Sequence, residues 1–207
     1  MAENGLPDEI GGRLTSWGMK AEYHYYTFYV TEGEDERRVS VTFELREYAD
    51  PGSGYFDGMN VSDVIKAGLY DYKKGAGVIT RVCSALSVLH ENGFVHRDVK
   101  PENVIIANDG TVKLIDFDAC RSYDSGKTAD TQILGTVGYA PPEQYGIYQT
   151  DKRSDIYSVG VLLNVMLTGK HPSEYLARGK AGRIITKCTS ISPELRYPDV
   201  KNLITSL

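Results

Sequence analysis

The spacing of apolar residues changes near residue 50, and the two halves of the chain predict different elements. Tyr23–Val30 (YHYYTFYV) is aromatic and β-branched and predicts a strand. Val39–Tyr48 (VSVTFELREY) alternates apolar and polar residues and predicts a second strand, with the charged TEGEDERR between them as the turn of an antiparallel hairpin. Glycines punctuate residues 1–20, where the spacing allows a short helix around Ile10–Trp17. The Gly/Pro-rich ADPGSGYFDGMN marks a boundary, which divides the chain into 1–50 and 51–207.

Helical spacing dominates beyond that boundary. Ser62 or Asp63 is expected to cap a short helix near Val64–Leu69. Ile79, Val82, Leu86 and Leu89 recur at helical intervals, and ENG closes that helix with Gly93 at its C-cap. Val104–Ile106 and Val112–Ile115 predict short strands joined by the turn NDG. A polar loop follows, from Asp118 to about Pro141. Ile156–Leu167 is the most apolar run, broken by Ser158, Gly160 and Asn164. It is too short to span a bilayer and predicts a buried helix, capped near Ser154 or Asp155 and stopped at Thr168–Gly169. Further helices are expected around Arg183–Thr189 and Asp199–Leu207. The fold class is α+β: a small antiparallel β unit, then a larger, mainly helical one.

Composition narrows the partners. The 207 residues, 41% hydrophobic, suit one domain or one domain with a small appendage. The net charge of −5 and the lack of a basic stripe argue against nucleic acid. Cys83, Cys120 and Cys188 are far apart and form no CxxC pair, so neither a disulfide framework nor a zinc site is indicated. With the polar, acidic start MAENGLPDEI, which is no signal peptide, this predicts a reducing, cytoplasmic location.

The chemistry concentrates in FVHRDVKPENVII, Phe94–Ile106, where polar residues stand between apolar anchors. Asp98 is a carboxylate on a loop, Lys100 adds a cation, Asn103 precedes a strand, and Asp116 follows the apolar Leu114 and Ile115. Two carboxylates and an amide beside a lysine are hard oxygen ligands for Mg²⁺ with a counter-charge for phosphate. Phosphoryl transfer asks little more of a protein than metal, a positioned hydroxyl and charge stabilisation.

HRDVKPEN (His96–Asn103) resembles the catalytic loop of eukaryotic-type, bacterial Hanks-type Ser/Thr protein kinases, and DFD (Asp116–Asp118) resembles their metal-binding motif. GTVGYAPPE (Gly135–Glu143), SDIYSVGVLL (Ser154–Leu163) and SPELRY (Ser192–Tyr197) resemble, in family order, the end of the activation segment, the buried anchoring helix and the late arginine element. The resemblance implies a kinase-like fold whose cofactors are ATP and Mg²⁺ and whose acceptor is a protein substrate. It assigns Asp98 to the substrate hydroxyl, Lys100 to the γ-phosphate, and Asn103 and Asp116 to the metal. Glu102 and Ile105 join them as nucleotide-binding residues, with Glu47 and Ala49 at the hinge. It also implies that Thr136 contacts Asp98 and Lys100, Asp155 bonds the catalytic-loop backbone, Glu143 pairs with Arg196, and His96 stacks with Phe117. Arg97 would answer a phosphate on the activation segment, for which Thr128 and Thr131 are candidates.

Three departures stand out. No G-x-G-x-x-G-x-V and no V-A-I-K occurs upstream of the hairpin, where the family holds the ATP phosphates, so residues 1–50 read as a reduced or truncated small lobe that a partner or upstream segment would complete. Asp118 replaces the glycine of the metal motif, and Arg46 stands where the adenine pocket is gated. The IDFDA string resembles small-molecule phosphotransferases, whereas Lys100 and APPE do not. A kinase-like binding module therefore remains as an alternative, with small-molecule phosphorylation behind it.

Overall fold

A computed structural model of the chain describes residues 13–20, 23–32, 35–39 and 122 by their backbone, and 58–107, 110–117, 119–121, 136, 138–145 and 150–207 in full. The chain divides into two compact units, Met1–Asp57 and Gly58–Leu207.

The first unit contains an antiparallel sheet of β1 (Arg13–Lys20), β2 (Tyr23–Glu32) and β3 (Asp35–Val39), with β2 in the middle. The aromatic strand is where the pattern put it. Its neighbours are not. Arg13–Lys20 is a strand in place of the expected helix: Thr15, Ser16 and Gly18 are weak helix formers, and β2 offers its backbone a partner from Arg13↔Tyr29 to Lys20↔Tyr23. The charged Asp35–Arg38, expected in the turn, joins Val39, expected at the start of the second strand, in pairing with β2 from Glu32↔Asp35 to Phe28↔Val39. β3 is an outer strand of this sheet among the described residues, and charge is tolerated in an outer strand. Residues 40–48 of the expected second strand lie outside the described residues.

The strands of the second unit are β4 (Gly58–Asn60), β5 (Phe94–Val95), β6 (Val104–Ala107), β7 (Val112–Leu114) and β8 (Arg121–Ser122). Its helices are α1 (Val61–Ala67), α2 (Tyr72–Glu91), α3 (Lys152–Thr168), α4 (Gly179–Cys188) and α5 (Val200–Ile204). β6 and β7 form the expected hairpin, Val104 opposite Leu114. β4, taken in the sequence for loop, adds to the other edge of β6, and β5 pairs with β8. Such two- and three-residue strands carry no periodic signal and exist because tertiary structure brings a partner.

The cap positions differ from expectation in an informative way. α1 is capped by Asn60, whose Oδ1 accepts the Asp63 amide at 2.8 Å while its Nδ2 donates to Asp63 at 3.0 Å. α3 is capped by Asp151, which accepts the Arg153 amide at 2.7 Å. Ser154 and Asp155 are thus released from capping, and both are buried and committed elsewhere. α2 ends at Asn92, and Gly93 follows in the left-handed conformation, φ 78°.

The core is built on α3, buried from Ile156 through Met166 apart from Tyr157, with α2 and α4 packed against it. Ile79, Val82 and Leu86 of α2, Ile156, Leu162, Leu163 and Met166 of α3, and Ile185 of α4 are almost fully buried. Each such side chain contributes about 1.5–3 kcal/mol of transfer free energy. Gly160 sets the α3–α4 approach: a Cβ there would stand 2.4 Å from the Cβ of Cys188.

Two charged groups tie loops to this core. Asp155 has no exposure; its Oδ1 accepts the Arg97 amide at 2.8 Å and its Oδ2 the His96 amide at 2.9 Å, with His90 Nε2 at 2.8 Å from the same oxygen. Burial would raise this carboxyl, but the hydrogen bond and charge of His90 outweigh it and hold the group below the usual carboxylate range. Glu143 and Arg196 form a buried two-bond pair at 2.6 and 2.9 Å. Ser154 Oγ donates to Glu143 at 3.0 Å, and Arg196 also donates to the carbonyls of Ser190, Arg153 and Ile191.

Three outcomes are expected. Asp155→Asn presents one acceptor to donors that need two, and should cost about 2–4 kcal/mol by denaturant unfolding. A depressed carboxyl stabilises fully above its unfolded value, about 3.9, and loses that contribution as pH falls through the folded one. The wild-type Tm should therefore drop on the acid side of the ordinary value of 3.8, and the Asp155→Asn Tm should drop less steeply there. Arg196→Met alone strands a buried carboxylate and should cost about 3–5 kcal/mol, much of it recovered in the Glu143→Leu/Arg196→Met double variant.

Candidate active site

The segment from Phe94 to Asn103 leaves β5 and enters β6 through a single 3-10 turn, Pro101–Asn103. Within it Val95, His96 and Val99 are buried. Its path requires Arg97 to adopt φ 69°, a left-handed conformation that costs a branched-free side chain on the order of 1 kcal/mol. The bonds on either side of that residue offset the cost: its amide goes to Asp155, and its carbonyl accepts Gln144 Nε2 at 2.7 Å. The strained turn aims Asp98 away from the core while its neighbours point in.

Asp98 sits at the centre of a closed set of bonds. Lys100 Nζ donates to its Oδ2 at 2.7 Å, Asn103 Nδ2 to the same oxygen at 2.9 Å, and Thr136 Oγ1 to its Oδ1 at 2.7 Å. Lys100 also reaches Thr136 Oγ1 at 2.9 Å, and Asn103 Nδ2 reaches the Asp98 carbonyl at 2.9 Å. Partial burial would raise the Asp98 carboxyl, but the hydrogen bonds from Lys100 and Thr136 outweigh it and hold it below the usual range. It is a carboxylate whose two oxygens are each held by a donor.

The metal-binding expectation falls on Asn103 and Asp116. The Asn103 carbonyl accepts the Ile115 amide at 2.9 Å, which brings the residue before Asp116 against the loop. Asp116 is exposed and has φ 64°, the second side-chain-bearing residue held left-handed. The nitrogen of the Asn103 amide is committed to Asp98, so its oxygen is the atom it can offer a cation. Among the described residues no cluster of three His, Cys, Asp or Glu could hold a metal alone. One carboxylate and one amide oxygen instead fit Mg²⁺, which is commonly held by few protein oxygens and completed by phosphates and water.

The supporting contacts expected from the resemblance are present. Thr136 bridges Asp98 and Lys100, Asp155 holds the loop backbone, and Glu143 pairs with Arg196. His96 meets Phe117 edge-on at 4.8 Å, and burial pushes the His96 imidazole down despite the carboxylates of Asp155, Asp98 and Asp116. Glu102 is exposed on the 3-10 turn, and Ile105 lies in the sheet between Asn60 and Lys113. Arg97 is buried. Glu47 and Ala49, with Arg46, and likewise Asp118, Thr128 and Thr131, lie outside the described residues.

Sequence reasoning passed over several participants. Gln144 lies just past APPE, His90 near the end of α2, and Ser158 and Asn164 were read only as interruptions of an apolar helix. Ser158 Oγ donates to the Tyr139 carbonyl at 2.9 Å, and Asn164 bonds the backbone of the segment after α3. Polar residues inside an otherwise apolar helix were the available signal, because a buried polar group needs a partner.

The comparisons with known proteins fit this geometry. Residues 34–204 match the family model described as the protein kinase domain. Serine/threonine-protein kinase PknB of Mycobacterium tuberculosis is 40% identical over 122 residues, 57% of this chain and 20% of that protein. Serine/threonine-protein kinase PknL of the same species is 48% identical over 96 residues, 46% of this chain and 24% of that protein. A probable serine/threonine-protein kinase of Clostridium perfringens is 38% identical over 120 residues, 57% of this chain and 18% of that protein. The matches thus span about a fifth of the length of these relatives. Since that match covers most of the sequence, the chain belongs to the protein kinase domain family.

Proposed function

We propose that the chain transfers the γ-phosphate of ATP to serine and threonine hydroxyls of proteins, with Mg²⁺ as cofactor. The observation that carries this reading is the Asp98 carboxylate, held by Lys100, Asn103 and Thr136 within 2.7–2.9 Å. Asp98 orients the substrate hydroxyl and accepts its proton. Lys100 neutralises Asp98 in the resting site and is near enough to share its charge with an arriving phosphate. Asn103 and Asp116 would hold Mg²⁺, which supplies charge neutralisation for the phosphate oxygens. Thr136 keeps one Asp98 oxygen in register. The names of the relatives favour serine and threonine as acceptors. A cytoplasmic location is in keeping with three buried free thiols, Cys83, Cys120 and Cys188, and among the described residues no helix is long and apolar enough to cross a membrane.

A second reading is a binding module of kinase fold, favoured by the lack of G-x-G-x-x-G and V-A-I-K in the sequence. A missing phosphate-binding lysine removes electrostatic stabilisation worth several kcal/mol.

Phosphate transfer to protein acceptors should be measurable with Mg·ATP. Asp98→Asn should lower the rate by about 10²–10⁴-fold with little change in Tm. Asp116→Ala should abolish the Mg²⁺ dependence together with the activity. Transfer that survives both substitutions, or labelling of small molecules alone, would sink the proposal. Titration with Mg·ATP should raise the Tm; at a ligand concentration 100 times Kd the gain is about 2.7 kcal/mol. A flat titration favours the binding module.

A further inference from the structure

His171 belongs to none of the motifs used so far. It lies just past α3, on the connection to α4, and that connection is fixed from below. Asn164, wholly buried on α3, donates through Nδ2 to the carbonyls of Lys170 and Tyr175, each at 2.8 Å. Its Oδ1 accepts the Ala177 amide at 2.9 Å. The His171 carbonyl accepts the amides of Glu174 and Tyr175 at 2.9 and 3.1 Å. The imidazole is therefore presented from an ordered backbone.

The bonds of the ring select one tautomer. Nε2 is 2.8 Å from the Gly138 carbonyl, and Nδ1 is 2.7 Å from Ser173 Oγ and 3.2 Å from the Ser173 amide. A carbonyl only accepts and a backbone amide only donates, so the proton sits on Nε2 and Nδ1 keeps its lone pair.

The carbonyl that His171 holds lies in the turn that carries Thr136. The Thr136 carbonyl accepts the amides of Tyr139 and Ala140 at 3.0 and 3.1 Å. The Tyr139 carbonyl accepts Ser158 Oγ at 2.9 Å. Gly138 has φ 92°, a conformation that a side chain would strain. With His171 in place the carbonyls of residues 136, 138 and 139 each have a donor. Thr136, at the head of the turn, reaches Asp98 and Lys100.

We infer that His171 is a positioning residue for phosphate transfer: its Nε2–H clamps the Thr136–Ala140 turn and thereby holds Thr136, and through it Asp98, in register for the acceptor hydroxyl. The inference rests on the kinase reading above. It assigns His171 to the acceptor side of the site and not to nucleotide binding.

Two variants separate the donor from the shape. His171→Phe keeps a ring and loses the N–H; His171→Gln keeps an N–H donor at similar reach. With casein as acceptor, His171→Phe should lower kcat/KM for casein about tenfold, as expected for one lost hydrogen bond, with KM for ATP unchanged. Amide hydrogen exchange at Tyr139 and Ala140 should accelerate in the same variant. His171→Gln should restore both. The inference is overturned if His171→Phe keeps wild-type kinetics and exchange, if Gln is as impaired as Phe, or if the ATP KM shifts as much as the casein kcat/KM. Should His171→Phe not fold, the wild-type protein still decides: long-range ¹H–¹⁵N spectra must show His171 protonated at Nε2, and a ring protonated only at Nδ1 overturns the clamp. If the wild-type protein transfers no phosphate, the kinase reading fails. In that case unchanged exchange in His171→Phe also removes the clamp, while accelerated exchange retains it as a structural assignment.

Discussion

Asp155 takes a full carboxylate out of water at the first turn of the central helix and uses both oxygens on the backbone of a loop 58 and 59 residues away. An unpaired carboxylate in that position would be prohibitive. Its donors are therefore a condition of folding, and two of them are the amides of His96 and Arg97. Once those amides are fixed, the left-handed turn at Arg97 follows, and Asp98 has one direction left to face. The position of the candidate base is thus a consequence of desolvating a different aspartate.

The same helix repeats the device along its length. Ser158 reaches the turn that carries Thr136, and Asn164 holds the segment that presents His171. Ser154 and the Glu143–Arg196 pair tie the end of the APPE segment to the same helix and to the stretch before α5. Each polar group is buried in apolar surroundings, where a satisfied hydrogen bond is stronger than in water and an unsatisfied one is costly. α3 acts as a rigid post from which separate loops are fixed at set positions, and Gly160 keeps α4 close enough to close the core around it.

Much of this was legible in the residues. The helical intervals of Ile79, Val82, Leu86 and Leu89, the NDG hairpin and the apolar run after Asp155 mark elements whose stability is local in period. Asp98, Lys100, Asn103 and Asp116 could be picked out as candidates because carboxylates and an amide beside a lysine suit Mg²⁺ and phosphate, and because their order resembles that of protein kinases. What was misread was short or dependent on a partner. β4, β5 and β8 are two or three residues long, Arg13–Lys20 is extended only because β2 lies beside it, and Ser154 and Asp155 resembled caps because capping chemistry and loop-anchoring chemistry use the same side chains.

The sequence by itself determined which residues could do chemistry and which stretches had to be buried, because side-chain type and apolar period are local properties. Tertiary structure alone decided which acceptor each donor meets. His171, Ser158 and Asn164 have no neighbour in sequence that reveals their partners, since the carbonyls they hold belong to backbone 6 to 33 residues away and become available only when the chain has folded. A buried polar group must be satisfied, but only the packed chain selects the group that satisfies it.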